Sequence, residues 1–291
     1  MRASFVAYFF LGVLWAFAGA TSAAEIARTG GPYVPTPQAV VDEMLDVAGV
    51  THDDFVIDLG SGDGRIVLTA ASRFGARGRG IEIDPELVQQ SNAEAKRRGL
   101  DRLVRFEARD ALKARIADAS VLTLYLLPDL MHQLRDRILR EMKPGARVVS
   151  HDFRFNDWAP DRTYTLDIPE KYGTSGAFQS TVFLWIVPAR VDGRWSAIVE
   201  GERGERYVFS FRQTFQRVKG AASVGERTMK IEEGKLEGAQ IRFYLPGPDG
   251  YRREFTGTVE GDAIHGTMAS SAGRAEWRAM RQHAPLALRL R

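Results

Sequence analysis

Apolar and polar positions alternate along residues 25–189 in a way that predicts strands and helices in turn. Short apolar runs typical of buried strands lie at 55–59, 81–84, 103–107, 121–125 and 146–150. The segments between them place apolar residues at helical spacing, as in the stretch that follows Pro37 and ends at Gly49. Strands that alternate with helices predict a parallel sheet with helices on both faces. Two further runs, 163–168 and 181–187, are expected to close this sheet as an antiparallel pair.

The pattern changes after Pro188. Short runs of period-two alternation follow one another, separated by glycine-containing turns such as Glu260-Gly261-Asp262. This pattern of short alternating runs and turns is typical of an antiparallel meander or a small closed barrel. We therefore predict an α/β domain over 25–189 and a small antiparallel β domain over 190–291.

The first 24 residues have a layout of their own. Arg2 precedes an apolar stretch over 3–18, and small residues then lead to Ala24. This is the layout of a secretory signal, and an uncut segment of this kind would anchor the chain in a membrane. We therefore expect an exported, periplasmic protein or a membrane-anchored one, with any membrane contact made through this segment. Cysteine is absent, so disulfides do not report the compartment.

Composition narrows the class of protein only slightly. The 291 residues are 44% hydrophobic and 26% charged, which is ordinary for globular domains. The formal net charge is only +3, and the basic residues are dispersed along the sequence. We therefore expect no nucleic-acid partner, and we predict no metal site.

The chemistry is concentrated in the run from Asp58 to Gly64, Asp-Leu-Gly-Ser-Gly-Asp-Gly, between a predicted strand and a predicted helix. A strand, a glycine turn and a helix N-terminus form the unit that nucleotide-like ligands use. Arg65 stands where a dinucleotide fingerprint needs its third glycine, and the residues after Gly64 are not those of a P-loop. An acid two residues before the first glycine suits a ligand that lacks a pyrophosphate and carries an ammonium group, such as S-adenosylmethionine (SAM).

Polar residues also follow the neighbouring strands. Glu82 ends the second strand, where an acidic side chain can accept both ribose hydroxyls. Asp110 and Tyr125 follow the third and fourth strands. Because ligands of such sheets bind outside the carboxyl ends of the strands, these residues and Asp58 are expected to line one site.

The glycine run together with Glu82 resembles the first motif of the class I, Rossmann-like SAM-dependent methyltransferases. The resemblance implies a seven-stranded sheet, SAM as cofactor and an in-line methyl transfer. It also implies three groups of cofactor-binding residues. Asp58 with the amides around Gly60, Ser61, Gly62 and Gly64 would hold the methionine part, Glu82 the ribose, and Asp110 with Ala111 the adenine edge.

Three stretches narrow the resemblance: Pro32 to Pro37, the glycine run with its helix start, and Tyr125-Leu126-Leu127-Pro128. Together they are similar to the ATP-synthase c-subunit lysine methyltransferases and their bacterial relatives, over about residues 30–155. The similarity implies methylation of a protein lysine, with Tyr33 and Thr36 near the methionine end of SAM. Thr36 is also a good N-cap for the helix that follows, with Pro37 as its first residue.

Lysine sets a physical requirement on the acceptor site. Only the neutral amine attacks, and the free pKa of lysine is about 10.4. A narrow apolar channel would lower that pKa by desolvation, and the Tyr125 stretch suits such a channel. It also differs from the Asn-Pro-Pro-Tyr loop by which many methyltransferases grip amides and bases. Tyr125 and His151 are the candidate catalytic residues, with His151-Asp152 either relaying a proton or forming a hydrogen-bonded loop pair.

Two alternatives to lysine methylation stay open. One is a methyltransferase that acts on an envelope or quinone-like small molecule. The other is a non-catalytic exported binding protein that keeps the Rossmann-like shell. Export conflicts with SAM synthesis in the cytosol, and an uncut anchor with a cytosol-facing domain would remove the conflict.

Overall fold

The computed structural model describes residues 33–171, 174–200, 205–247 and 249–283. The predicted leader, 1–24, lies outside them. The described residues belong to one compact unit. Its first part contains α1 (Gln38–Val47), β1 (Phe55–Leu59), α2 (Arg65–Phe74), β2 (Arg77–Glu82), α3 (Pro85–Arg97), β3 (Val104–Ala108), a 3-10 turn (Ala111–Lys113), β4 (Val121–Leu124), α4 (Pro128–Glu141), β5 (Arg147–His151), β6 (Arg162–Lys171) and β7 (Thr174–Ile186).

These strands form a seven-stranded sheet in the order β3-β2-β1-β4-β5-β7-β6. Strands β1 to β5 are parallel, and β7 runs antiparallel to both β5 and β6. The chain order reverses between β1 and β4, which is where sheets of this type bind ligands. The expected Rossmann-like α/β fold with seven strands is confirmed.

The second part is an antiparallel barrel. Its strands are β8 (Gly193–Val199), β9 (Glu205–Thr214), β10 (Arg217–Val224), β11 (Arg227–Lys230), β12 (Glu232–Glu237), β13 (Gln240–Pro246), β14 (Arg252–Glu260), β15 (Ala263–Ser270) and β16 (Gly273–Arg281). Eight of them form a ring that closes by pairing of β9 with β10, while β11 pairs with β10 beside the ring. Of the two forms expected from the alternation pattern, the closed barrel is the one observed.

Aromatic rings fill the barrel interior. Phe243 and Phe255 stack with ring centroids 4.9 Å apart, and Phe209 meets both of them edge to face. Trp195, Tyr207, Phe211 and Trp277 complete a core whose members are nearly inaccessible to solvent. An eight-stranded barrel is just wide enough to be filled by side chains, and this one is filled.

The turn between β9 and β10 joins the barrel to the seven-stranded sheet. Trp158, which is fully buried, donates from Nε1 to Oε1 of Gln216 at 3.0 Å, and Gln216 Nε2 donates to the Ala159 carbonyl at 2.8 Å. The ring of Phe215 stacks on Trp158 with centroids 5.8 Å apart. The barrel is therefore attached to the loop 152–161, which begins directly after β5.

The start of α1 differs from expectation. The helix begins at Gln38 with Pro37 in the N-cap position and no side-chain cap, so the predicted N-cap role of Thr36 is wrong. The Thr36 hydroxyl lies instead 3.3 Å from Nδ1 of His151. No helix in the part of the chain described by the structure is long and apolar enough to cross a bilayer.

Candidate functional site

Asp58 is the most buried acid of the predicted site. It occupies β1 directly beside Thr123 of β4, and its Oδ1 accepts a hydrogen bond from the Thr123 hydroxyl at 2.8 Å. Only 2% of Asp58 is exposed to solvent. Sequence reasoning missed Thr123, because a single threonine in an apolar strand is unremarkable until the partner strand is known.

Burial raises the pKa of Asp58 to about 7. The Thr123 hydrogen bond opposes this rise, while the negative charges of Glu82 and Asp63 add to it. The Asp58 carboxylate is therefore poorly compensated by the protein alone. A ligand cation beside it would lower the pKa again, which fits the ammonium group of SAM.

Glu82 is the last residue of β2, and its carboxylate connects the glycine run to the sheet by hydrogen bonds. Its Oε2 accepts from the Gly62 amide at 2.8 Å, and its Oε1 accepts from the amides of Ile83 and Asp84 at 2.7 and 3.1 Å. A carboxylate has about four acceptor positions, so one remains for a ribose hydroxyl. Glu82 thus lies where the ribose ligand is expected and has a second, structural task that sequence reasoning missed.

The glycine run turns sharply, with φ of 79°, 52° and 79° at Gly60, Gly62 and Gly64. The amides of Gly60 and Ser61 both donate to the Ile81 carbonyl, and the Gly64 amide donates to the Ser61 carbonyl. With the Gly62 amide on Glu82, these four amides are already used within the protein. We therefore revise their expected role: these residues present a bare backbone surface rather than free amide donors.

The Ser61 side chain remains a candidate ligand contact. Its Oγ is buried and has no hydrogen-bond partner among the residues that the structure describes. Buried hydroxyls are normally satisfied. The orphaned hydroxyl in the turn fits a polar ligand placed against the loop.

Segment 33–36 lies across the glycine run. A Cβ added at Gly62 would come within 2.3 Å of Cε2 of Tyr33, so the ring of Tyr33 packs on the bare backbone. Arg65 pairs with Asp63 at 2.6 Å and donates to the Thr36 carbonyl at 2.9 Å. The structure thus brings Tyr33 and Thr36 to the loop, although Tyr33 remains half exposed.

Tyr125 and His151 meet at the ends of β4 and β5, with ring centroids 4.1 Å apart. His151 is fully buried, and its Nε2 lies 2.9 Å from the Ser180 hydroxyl while its Nδ1 faces Thr36. Burial lowers the pKa of His151 to about 4; the negative charge of Asp152 opposes this shift, and the positive charge of Lys171 adds to it. The imidazole is therefore uncharged at neutral pH.

A buried ion pair supports this corner. Lys171 Nζ lies 2.6 Å from Oδ2 of Asp152 and donates to the Gln179 carbonyl at 2.7 Å. The other Asp152 oxygen accepts from the Thr181 amide at 2.9 Å. Sequence reasoning missed Lys171, because the β6–β7 hairpin brings it back to the end of β5 only in the folded chain.

Asp110 and Ala111 follow β3 beside Glu82, since the Arg109 amide donates to the Glu82 carbonyl at 2.8 Å. Asp110 caps the 3-10 turn by accepting from the Leu112 amide at 2.9 Å, and its other oxygen lies 3.4 Å from Nζ of Lys113. The acid therefore serves the turn, and a carboxylate with these two contacts still has acceptor positions left for a ligand.

Known proteins match this part of the chain. A family model described as the ANTKMT methyltransferase domain matches residues 58–162. A protein-lysine N-methyltransferase of Saccharolobus islandicus is 36% identical over 157 residues, which are 54% of this chain and 93% of that protein. The lysine N-methyltransferase of the ATP synthase c-subunit from Xenopus laevis is 34% identical over 46% of this chain, and the chain spans 58% of its length.

A solved structure is also similar in sequence. It is described as an RNA methyltransferase from Salinibacter ruber in complex with S-adenosyl-L-homocysteine, and it shares 47% identity over 54% of this chain and 96% of its own, with a TM-score of 0.49. The near-complete coverage of the Saccharolobus islandicus protein at 36% identity decides the assignment. The chain belongs to the protein-lysine N-methyltransferase family and is a SAM-dependent methyltransferase.

Proposed function

We propose that this protein methylates the ε-amino group of a lysine in a protein substrate. The main support for this proposal is the arrangement of the site. Asp58 and Glu82 meet at the glycine run, and the uncharged His151 and the Tyr125 ring lie beside them. The names of the Saccharolobus islandicus and Xenopus laevis relatives support a lysine acceptor.

We assign a different part of SAM to each of three residues. Asp58 would receive the ammonium group of SAM, Glu82 a ribose hydroxyl and Ser61 a polar atom of the same ligand. SAM supplies an activated methyl group on a sulfonium sulfur. The protein therefore mainly has to align the acceptor with that methyl group and exclude water.

The acceptor side favours a neutral amine. Tyr125, with the nearby Phe153 ring at 5.9 Å, presents an aromatic wall that would desolvate an incoming ammonium group and lower its pKa. His151 has both ring nitrogens engaged and a pKa of about 4, which makes it a weak base. We assign it to positioning Thr36 and Tyr125, and we expect the amine to lose its proton as it enters the site.

The test is the fate of labelled methyl groups. Lysate from cells that lack the protein is incubated with methyl-labelled SAM and the purified chain, then separated into acid-insoluble protein, RNA and an organic phase. We expect label in protein, recovered as methyl-lysine after hydrolysis. Label in RNA or in the organic phase would reject the lysine proposal. SAM binding without any transfer would support the non-catalytic alternative, and Asp58→Asn, with its weakened SAM binding, is the control.

We also propose that the apolar stretch 3–18 directs the chain to the membrane, as an export signal or an uncut anchor. The charge and residue pattern of 1–24 supports this. Protease added to spheroplasts distinguishes the two forms, because a cytosol-facing anchored enzyme resists digestion until lysis. Recovery in the soluble cytosolic fraction would contradict both.

A further inference from the structure

Five cationic side chains gather on the outer surface of the barrel. Arg212 of β9, Arg217 and Lys219 of β10, Lys235 of β12 and Arg242 of β13 are all exposed. Strand pairing sets Arg217 opposite Lys235, Lys235 opposite Arg242, and Lys219 opposite Arg212. We call this group the cationic face. It corrects the expectation of dispersed basic residues, because the barrel assembles residues that are far apart in sequence.

Like charges placed directly opposite one another destabilise a sheet. Elsewhere the same barrel pairs its cations with acids, as in Arg253 with Glu205 at 2.6 Å and Arg281 with Asp262 at 2.8 Å. Within the described residues, no member of the cationic face forms an ion pair. Asp161 near Lys235 and the Tyr244 ring 6.0 Å from Arg242 offset part of this positive charge, and the rest stays uncompensated across the described segments of the chain.

The cationic face begins near the amino ends of the parallel strands, where the β12–β13 turn at Gly238 packs on Gly145 just before β5. Burial raises the pKa of Asp161, at the end of the loop 152–161, while the nearby charge of Lys235 lowers it. The Asp161 carboxylate accepts from the Ile186 amide at 2.8 Å, and Ile186 lies opposite Arg147, the first residue of β5. That loop starts directly after His151. A substrate segment bound at Lys235 would thus lie at the opposite end of β5 from the acceptor wall, so the cationic face would hold a part of the substrate that is remote from the methylated lysine.

We propose that the cationic face binds an acidic segment of the protein substrate and so helps to select it. This proposal rests on the proposed lysine methylation. Complementary charge steers association and discriminates between partners. It also gives the barrel, which has a filled interior, a role in recognition through its outer surface.

Nucleic acid and membrane fit this surface less well. Tyr244 neighbours Arg242, but its hydroxyl donates to Glu254 at 2.9 Å and Arg252 covers its ring at 4.3 Å, so it is not free to stack on a base. Among the described residues, the large exposed apolar side chains are Tyr33, Ile83, Tyr251 and Met280. None lies on β9, β10, β12 or β13, so nothing there would insert into a bilayer.

The test compares two triple variants of the full chain with equal charge change. R217Q/K235Q/R242Q neutralises the central row of the cationic face. R194Q/R206Q/R278Q removes three exposed arginines on β8, β9 and β16 that do not oppose one another. The probes are a fluorescein-labelled glutamate decamer, a labelled uridine decamer and vesicles of phosphatidylglycerol with phosphatidylcholine. Anisotropy measures the decamers, and co-sedimentation measures the vesicles.

We expect the glutamate decamer to bind the unmodified chain, more weakly as salt rises. The central-row variant should lose about tenfold in affinity, and the control variant should stay within about twofold. Equal losses in both variants would overturn the proposal, as would tighter binding of the uridine decamer or of the vesicles. These titrations measure binding and need no methyl transfer. Label found in RNA or in the organic phase would therefore reject the lysine proposal without changing the measured affinity of the cationic face for the glutamate decamer.

Discussion

The Thr36 hydroxyl lies 3.3 Å from Nδ1 of His151, across 115 residues of chain. Because Arg65 also holds the Thr36 carbonyl, this contact connects the glycine run to the end of β5. The cofactor side and the acceptor side of the site are therefore linked through one residue of the segment before α1.

Replacing Thr36 by valine removes that hydroxyl with little change in volume. A buried ring nitrogen without a partner lowers the free energy of unfolding by about 1–3 kcal/mol. Because the His151 ring and the Tyr125 ring packed on it are then held less firmly, we expect methyl transfer to slow by about tenfold. SAM affinity should change by less than about threefold, since the Thr36 backbone contact to Arg65 remains. Steady-state rates and calorimetric titration check both. Thr36→Ser should restore the rate, and a valine variant with full activity would show that the contact is dispensable.

Asp58→Asn should stabilise the protein while weakening SAM binding. The folded-state pKa of about 7 lies above the ordinary value of 3.8. The folded chain therefore binds this proton more tightly than the unfolded chain, and the free energy of unfolding falls as pH rises from about 4 to about 7. Asparagine avoids that loss and still accepts from Thr123.

We expect the variant to melt above the unmodified chain at pH 8, by a margin that narrows at pH 5. SAM affinity should fall by at least about tenfold, because the ammonium group loses its charged partner. Differential scanning fluorimetry and calorimetric titration measure the two effects. A lower melting temperature at pH 8 would contradict the assigned burial cost.

SAM binding should depend on pH through Asp58. The carboxylate that pairs with the ammonium group is present above pH 7 and is lost below it. We expect the highest affinity near pH 7.5, where Asp58 is ionised and much of the ligand's α-amino group is still charged, and a loss of about tenfold per pH unit below the pKa of Asp58. The same titration with Asp58→Asn should be flat between pH 5.5 and 8. A flat profile for the unmodified chain would mean that Asp58 does not meet the cation.

Gly62→Ala should disrupt the site for two separable reasons. The new Cβ would meet Cε2 of Tyr33 at 2.3 Å, and the φ of 52° is unfavourable for alanine. We expect a large loss of SAM affinity that Tyr33→Ala in the same chain restores only in part. Comparing SAM affinities of the two single variants and the double variant separates the clash from the backbone strain. Full restoration would assign the whole effect to the ring.

Gln216→Ala should destabilise the connection between barrel and sheet. It leaves the indole N–H of the buried Trp158 and the Ala159 carbonyl without their partner, which costs about 1–3 kcal/mol of unfolding free energy. Gln240→Ala is the control, because that side chain bonds Thr258 on the exposed barrel surface and should cost less than about 0.5 kcal/mol. Denaturant unfolding measures both, and equal costs would contradict a special role for the junction.

Local features of this protein could be predicted from the sequence. The strand, glycine turn and helix from Phe55 to Phe74 depend on neighbours in the chain, because turn geometry and apolar periodicity act over a few residues. The same holds for Glu82 at the end of its strand. The seven-stranded sheet and the SAM site were predicted from the resemblance, and the alternating runs after Pro188 left only a meander or a closed barrel.

The partners of the site residues could not be predicted in this way. Thr123 beside Asp58, Lys171 on Asp152 and the cationic row from Arg217 to Arg242 depend on which strands become neighbours. Local capping rules assigned Thr36 to the helix that follows it, whereas in the folded chain its hydroxyl contacts the imidazole of His151. Local sequence thus determined the elements and the acids at their ends. Strand order and barrel closure decided which side chains share a low-dielectric environment, and so which of them are neutral, paired or left charged.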